Sequence, residues 1–210
     1  MTRRRFRDQL PDIRERLAQE SARLMIEHGI VDFGLAKRKA AERLGVATAG
    51  ALPSNVQIEA CLYERQRLFE PETHDVHLRE LRESAVVLMS ALESFEPRLA
   101  GPVLTGTATV NTMIEVHLFA ESIEAVADTL DVHGFGTSQC ERRYRFGGGR
   151  VELLPGFRVT VRDAEAVLPV FPVHGIREAP LSAVDRRPMQ RASLKSVVGM
   201  LAPAAQSVAG

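Results

Sequence analysis

The feature that most constrains this chain is a change of hydrophobic period at Pro97. Ahead of it, Leu78, Leu81, Ala85, Leu88, Leu92 and Phe95 follow alternating steps of three and four, which draws one narrow apolar seam along a long helix opened by Thr73 or Asp75. A proline cannot continue that helix, because it lacks the N–H and its ring clashes with the preceding turn. Beyond it, Pro102–Thr105 and Ile114–Phe119 read as short strands rich in β-branched residues.

The same change separates the rest of the chain. Ile13, Leu17, Ser21, Leu24, Met25 and His28 share one helical face, with Gly29 as a stop. Asp32 caps a second helix carrying Leu35, Ala36, Ala40 and Leu44 inward, closed by Gly45. After the linker at 47–53, Ser54 starts a third helix through Phe69. In the second half, Ser122–His133 reads as a helix with Ile123, Val126, Ala127 and Leu130 inward. Gln139–Phe146, Val151–Leu154, Phe157–Arg162 and Val167–Phe171 read as further strands, separated by turns at Gly147–Gly149 and Asp163–Glu165. A last helix is capped by Ser193, and 202–210 reads as a frayed end. The expectation is an α+β chain: a helical unit over 1–97, a sheet domain over 98–180, and a helix and tail over 181–210.

Composition narrows the partners. Lys plus Arg and Asp plus Glu number 27 each, so zero net charge argues against strong non-specific nucleic-acid binding by the whole chain. The distribution is uneven: residues 1–50 carry 11 basic and 7 acidic side chains, and residues 51–97 carry 4 and 9. Cys61 and Cys140 are too few and too far apart in sequence for a disulfide framework or a zinc site. The basic start resembles a signal n-region, but a charged helix follows it, and no apolar run approaches membrane-spanning length. The expectation is a reducing, bacterial-type cytoplasm and no membrane partner.

The stretch that carries chemistry is 101–119. Period-two alternation along Ile114–Phe119 puts Met113, Glu115 and His117 on one face and Ile114, Val116 and Leu118 on the other. A Gly106-Thr107 turn precedes that strand. On this pattern residues 98–180 resemble the core of the nucleotidyltransferase fold, the superfamily that includes beta-type DNA polymerases and minimal bacterial nucleotidyltransferases. The whole chain, including Asp32-Phe-Gly-Leu-Ala-Lys-Arg-Lys-Ala-Ala-Glu-Arg-Leu-Gly and Ala51-Leu-Pro-Ser-Asn-Val-Gln-Ile-Glu-Ala, is similar to a group of uncharacterised proteobacterial proteins labelled nucleotidyltransferase-like.

The resemblance implies a mixed β-sheet domain with flanking helices. It also implies Mg²⁺ held in part by Glu115, a nucleoside triphosphate cradled by Gly106 and Thr107, and a nucleic-acid or protein acceptor. Two carboxylates two residues apart on one strand hold the metal pair in that chemistry. In the family register the first acid is Met113 and the second Glu115; shifted by one step the pair is Glu115 and His117. Neither register supplies two carboxylates, and Thr109, Asn111 and Thr112 offer neutral oxygens only. Glu152 is the candidate for the later third acid, so Glu115, His117 and Glu152 form the expected catalytic set of a degenerate or weakly active transferase. The plainer account makes Glu115 an exposed-face residue paired with an arginine from 142–145, and His117 a surface or half-buried strand residue.

Other features compete. Phe146-Gly147-Gly148-Gly149-Arg150 lacks a following helix and reads as a hairpin turn rather than a phosphate loop. His74 and His77 stand near one helical turn apart, with Asp75 between them, and read as solvated helix-start residues in the absence of a third ligand. Lys37, Arg38, Lys39 and Arg43 form a basic helical face, the alternative site of a non-catalytic nucleic-acid or protein-binding module. Arg186, Arg187, Arg191 and Lys195 form a second basic cluster, fitted to phosphates or to covering the core with their stems.

Overall fold

A computed structural model describes residues 2–46, 52–69 and 71–202. Most of the 47–53 linker and of the frayed end at 202–210 therefore lies outside the described residues. Among those described there are seven α-helices and a six-stranded mixed sheet, an α+β architecture with the helices leading. No helix among them is long and apolar enough to cross a membrane.

Two compact units form. The first comprises residues 1–77, 106–112 and 182–187. Its helices are α1 (Thr2–Glu27), α2 (Phe33–Leu44) and α3 (Asn55–Phe69), together with the start of α4 (Pro71–Ala91) up to His77. Asp32 caps α2 by accepting from the Leu35 amide at 2.6 Å. Gly45 ends it at φ 62, a left-handed geometry that glycine adopts without a Cβ penalty. Leu17, Ala18, Ala22, Leu24 and Met25 of α1 pack with Ala36, Ala40 and Ala41 of α2 and with Ile58 and Leu62 of α3.

The second unit comprises residues 78–105, 113–181 and 188–210. Its sheet runs β3 (Thr137–Arg145), β4 (Val151–Val161), β5 (Ala164–Phe171), β2 (Ile114–Phe119), β1 (Arg98–Ala100), β6 (Ala192–Ser193). Only β2 and β5 pair in parallel. The connection from β2 to the meander of β3, β4 and β5 carries α6 (Ile123–Val132), whose cap is Ser122 accepting from the Ala125 amide. Helix α7 (Leu194–Leu201) is capped by Ser193.

Three expectations about elements are corrected. The long helix α4 ends at Ala91 and not at Pro97, and Phe95 lies in a separate 3-10 turn, Glu93–Phe95. Pro102–Thr105 is not a strand but part of α5 (Gly101–Thr105), and the strand ahead of it is β1. Gly101 turns the chain between them at φ 70, and Pro102 stands in the first turn, where its missing N–H has no helical partner to lose. Val151–Leu154 and Phe157–Arg162 are one strand, β4, which runs through Pro155 and Gly156. Its residues 151–155 pair with β3 alone, and pairing with β5 begins at Gly156. The β5 side of Pro155 thus has no ladder bond for a proline to break.

Candidate functional site

Strand β2 lies in the interior of the sheet, between β5 and β1, and all six of its residues are buried. Ile114, Val116 and Leu118 face one side, and Glu115, His117 and Phe119 the other. The second face is completed by an apolar cluster of Phe119, Tyr144, Phe146, Leu154 and Phe171, with Ile176 and Met189 packed against it. Glu115 is 8% exposed and His117 fully buried, so neither is the exposed strand residue of the plainer sequence reading, although Glu115 does meet an arginine of 142–145, Arg142.

A buried carboxylate and imidazole need partners, because desolvation of either charge is costly. His117 Nε2 lies 2.7 Å from Glu115 Oε1, and the Tyr144 hydroxyl donates to the same oxygen at 2.7 Å. Arg142 Nη2 stands 3.8 Å from Glu115 Oε2. On the far side of the ring, Arg191 Nε donates to His117 Nδ1 at 2.9 Å, and Arg191 Nη1 donates to the Gly175 carbonyl at 2.9 Å. The Arg191 guanidinium stacks over Phe171 at 4.7 Å and Phe119 at 5.1 Å. Its Nη2 is buried and has no hydrogen-bond partner among the described residues.

This geometry fixes the tautomer. A guanidinium N–H can only donate, so Nδ1 is the acceptor, and Nε2 carries the hydrogen that goes to Glu115. The charge states agree. Burial raises the Glu115 pKa, but the bonds from His117 and Tyr144 and the nearby Arg142 outweigh it and hold the carboxyl below its ordinary value. Burial also keeps His117 neutral: with the Arg191 and Arg142 charges it outweighs the pull of Glu115 and lowers the imidazole pKa. Burial and the Glu115 charge push the Tyr144 phenol well up. Burial, with Arg98 adding repulsion, brings Arg191 down to about 10. Both imidazole nitrogens, the phenol hydrogen and Glu115 Oε1 are therefore engaged with one another, and none is presented to a substrate as an acid or base.

The sequence-derived site residues fall in different places. Glu115 and His117 come together as described. Glu152, opposite Tyr144 in the β3–β4 register, pairs instead with Arg150 at 3.0 Å. Gly106 and Thr107 belong to the first unit, where the Gly106 carbonyl is 3.1 Å from His74 Nε2 and the buried Thr107 side chain is hydrogen-bonded to Glu59. His77 Nε2 is buried without a partner among the described residues, so the helix-start histidines are not simply solvated. On α2, Arg38 and Lys39 are exposed, Lys37 is half-buried with its pKa lowered by burial, and Arg43 lies 3.3 Å from Glu20. The glycine run closes the β3–β4 hairpin, the Phe146 amide donating to the Arg150 carbonyl at 2.8 Å.

A pair of divalent ions does not fit the Glu115 site. One carboxylate is present, one of its oxygens already accepts two hydrogen bonds, and the other faces an arginine. Met113, half-buried, stands two residues before Glu115, where the expected carboxylate pair would need its first acid. Among the described residues no group of three or more His, Cys, Asp and Glu side chains could hold a metal ion. Sequence reasoning missed Tyr144 and the role of Arg191. The alternation that puts Arg142 and Tyr144 on one face of β3 was readable, whereas nothing in sequence joins residue 191 to residue 117. Compared with known protein families, curated proteins and solved structures, the chain matches none.

Proposed function

We propose that the second unit is a nucleotidyltransferase-like scaffold that binds a phosphate-bearing ligand such as a nucleotide through arginine rather than through metal, and does not perform metal-dependent nucleotidyl transfer. The observation that carries this reading is the partner set of Glu115. Its single negative charge is met by a phenol, a neutral imidazole and a guanidinium, and Arg191 adds a second guanidinium beside the imidazole. Two guanidinium charges against one carboxylate favour an anion over a further cation.

Arg142 keeps 43% of its side chain exposed, so its outer edge remains available. The strand register aligns Ser138, Arg158, Val167 and Glu115 in one cross-strand row, and residues paired across a ladder share a face. Exposed Arg158 therefore borders the same face as Arg142. Guanidinium groups suit phosphate oxygens because their N–H groups form a rigid fork.

Calorimetry with ATP in EDTA tests the reading. Binding is expected without Mg²⁺ and is expected to weaken at least tenfold when Arg142 and Arg158 are both replaced by Gln. Absence of any ATP binding would remove the ligand. Mg²⁺-dependent labelling of an acceptor, lost in Glu115→Gln, would restore a catalytic transferase instead.

A further inference from the structure

Arg191 joins the sheet to the segment that covers it. Its Nε reaches His117 on β2, its Nη1 holds the carbonyl of Gly175, and its plane lies over Phe119 and Phe171. Gly175 sits in the short helical turn Val173–Arg177, against the same ring. A Cβ built on it would come 3.3 Å from the Phe171 Cβ, so the turn lies directly on the aromatic face. We propose that His117 and Arg191 form a proton-operated latch: a proton taken up at His117 Nδ1 breaks the bond from Arg191 Nε and frees the Val173–Arg177 turn from the aromatic face of the sheet.

The bond exists only while Nδ1 has a lone pair to offer. A proton from solvent binds that lone pair, and the ring then presents an N–H to a guanidinium N–H, two donors and two positive charges 2.9 Å apart. No covalent bond breaks. Arg191 must then turn away, which also costs the bond to Gly175.

The groups facing the imidazole set the balance. Glu115 on β2 favours the imidazolium from the Nε2 side, while Arg142 on β3 and Arg191 oppose it. Tyr144 on β3 meets the ring edge-on at 5.5 Å, with its hydroxyl turned to Glu115. Arg98 on β1 adds to the positive field at Arg191. In and after the turn, the Glu178 carboxylate pairs with Arg150, and His174 and Arg177 are exposed. Burial tips the sum to the neutral ring, so proton uptake is coupled to opening.

Once the turn is free, His117 loses the Arg191 charge and part of its burial, two of the causes that hold its pKa down, so the open form binds the proton more tightly than the closed one. Each pH unit below the midpoint of the open form then raises the opening equilibrium up to about tenfold, until the closed form also binds the proton. The Glu115 carboxyl is held below its ordinary value and stays ionised down to pH 5, so within this pair only the imidazole titrates there.

Hydrogen exchange of the full chain between pH 7.5 and 5, corrected for the intrinsic pH dependence of exchange, reads the latch. The amides to follow are Gly175 and Glu178, which donate to Pro172 and Gly175 carbonyls within the turn. Their protection is expected to fall by up to about tenfold per pH unit within the range from pH 7.5 to 5 while β2 amides stay protected. The fall is expected to vanish in His117→Asn, whose side-chain oxygen accepts from Arg191 without titrating, and to persist in His174→Gln.

Flat protection in the wild type, a fall that survives in His117→Asn, or simultaneous loss at β2 would each overturn the proposal. Should His117→Asn not fold, the imidazole nitrogens of the wild type decide by NMR. Nδ1 must be unprotonated at pH 7.5 and must gain its proton with the midpoint at which the two amides lose protection; a different midpoint overturns the latch. None of these readouts involves a nucleotide, so the latch and the binding reading fail independently.

Discussion

A carboxylate buried as deeply as Glu115 keeps its charge only where donors replace water. Two of them share Oε1, from Tyr144 and His117. Tyr144→Phe removes one donor and leaves the ring in place. Hydrogen bonds to charged groups contribute about 1.5–3 kcal/mol each, so that loss of stability is expected in urea unfolding. A change under about 0.5 kcal/mol would mean that the hydroxyl bond does not stabilise the fold. The pH dependence follows from the same network. Both Glu115 and His117 have pKa values below their ordinary ones, so the unfolded chain takes up protons at a higher pH than the folded one. The stability that these two groups contribute is complete above the ordinary His value, declines as pH falls through it, and declines again below the ordinary Glu value. Each group adds a slope of up to about 1.4 kcal/mol per pH unit. In Tyr144→Phe the Glu115 limb is expected to move to lower amplitude, because its carboxyl loses part of what holds it ionised. Urea titrations from pH 8 to 4 check both points.

The elements were readable where a local rule decides them. Asp32, Gly45, Ser122 and Ser193 mark helix ends by side-chain or glycine chemistry that acts within four residues. The errors lie where neighbours decide. Val103, Leu104 and Thr105 have strand-like side chains, yet they belong to α5 after the Gly101-Pro102 turn. Pro155-Gly156 looks like a strand break, yet β4 continues, because no ladder partner faces Pro155 on the β5 side and because Gly156 permits close approach. A Cβ on Gly156 would lie 2.4 Å from the Leu168 carbonyl oxygen and 2.8 Å from Pro169 Cα, both backbone atoms that cannot step aside. Gly156→Ala is therefore expected to cost about 3 kcal/mol through displacement of β5. Gly136, with open space around its Cβ position and no positive φ, serves as the control: Gly136→Ala should stay within about 0.5 kcal/mol of wild type. Equal effects at the two positions would contradict this account of β4.

At the scale of the whole molecule, the α+β class followed from the period change alone, while the candidate site required a fold to bring residues 115, 144 and 191 together. Charge belongs to this scale too, because nucleic-acid affinity depends on how many cations a chain can place on phosphates at once. The chain is neutral, and its basic α2 face is smaller than its sequence implies. Arg43 is exposed but paired with Glu20, Lys37 is half-buried, and Arg38 and Lys39 are exposed. Two cations on duplex phosphates give a slope of log affinity against log salt of about −1.8, since each neutralised phosphate contributes about −0.9. Binding of a 20-base-pair duplex through the α2 face is therefore expected to be weak, contributing a slope no steeper than about −2 that Arg38→Gln and Lys39→Gln together remove. A loss of about 4 units of slope in that double variant would mean that Lys37 and Arg43 join the contact as well. In that event the helical face, rather than the arginine-lined face of the sheet, would be the main binding surface.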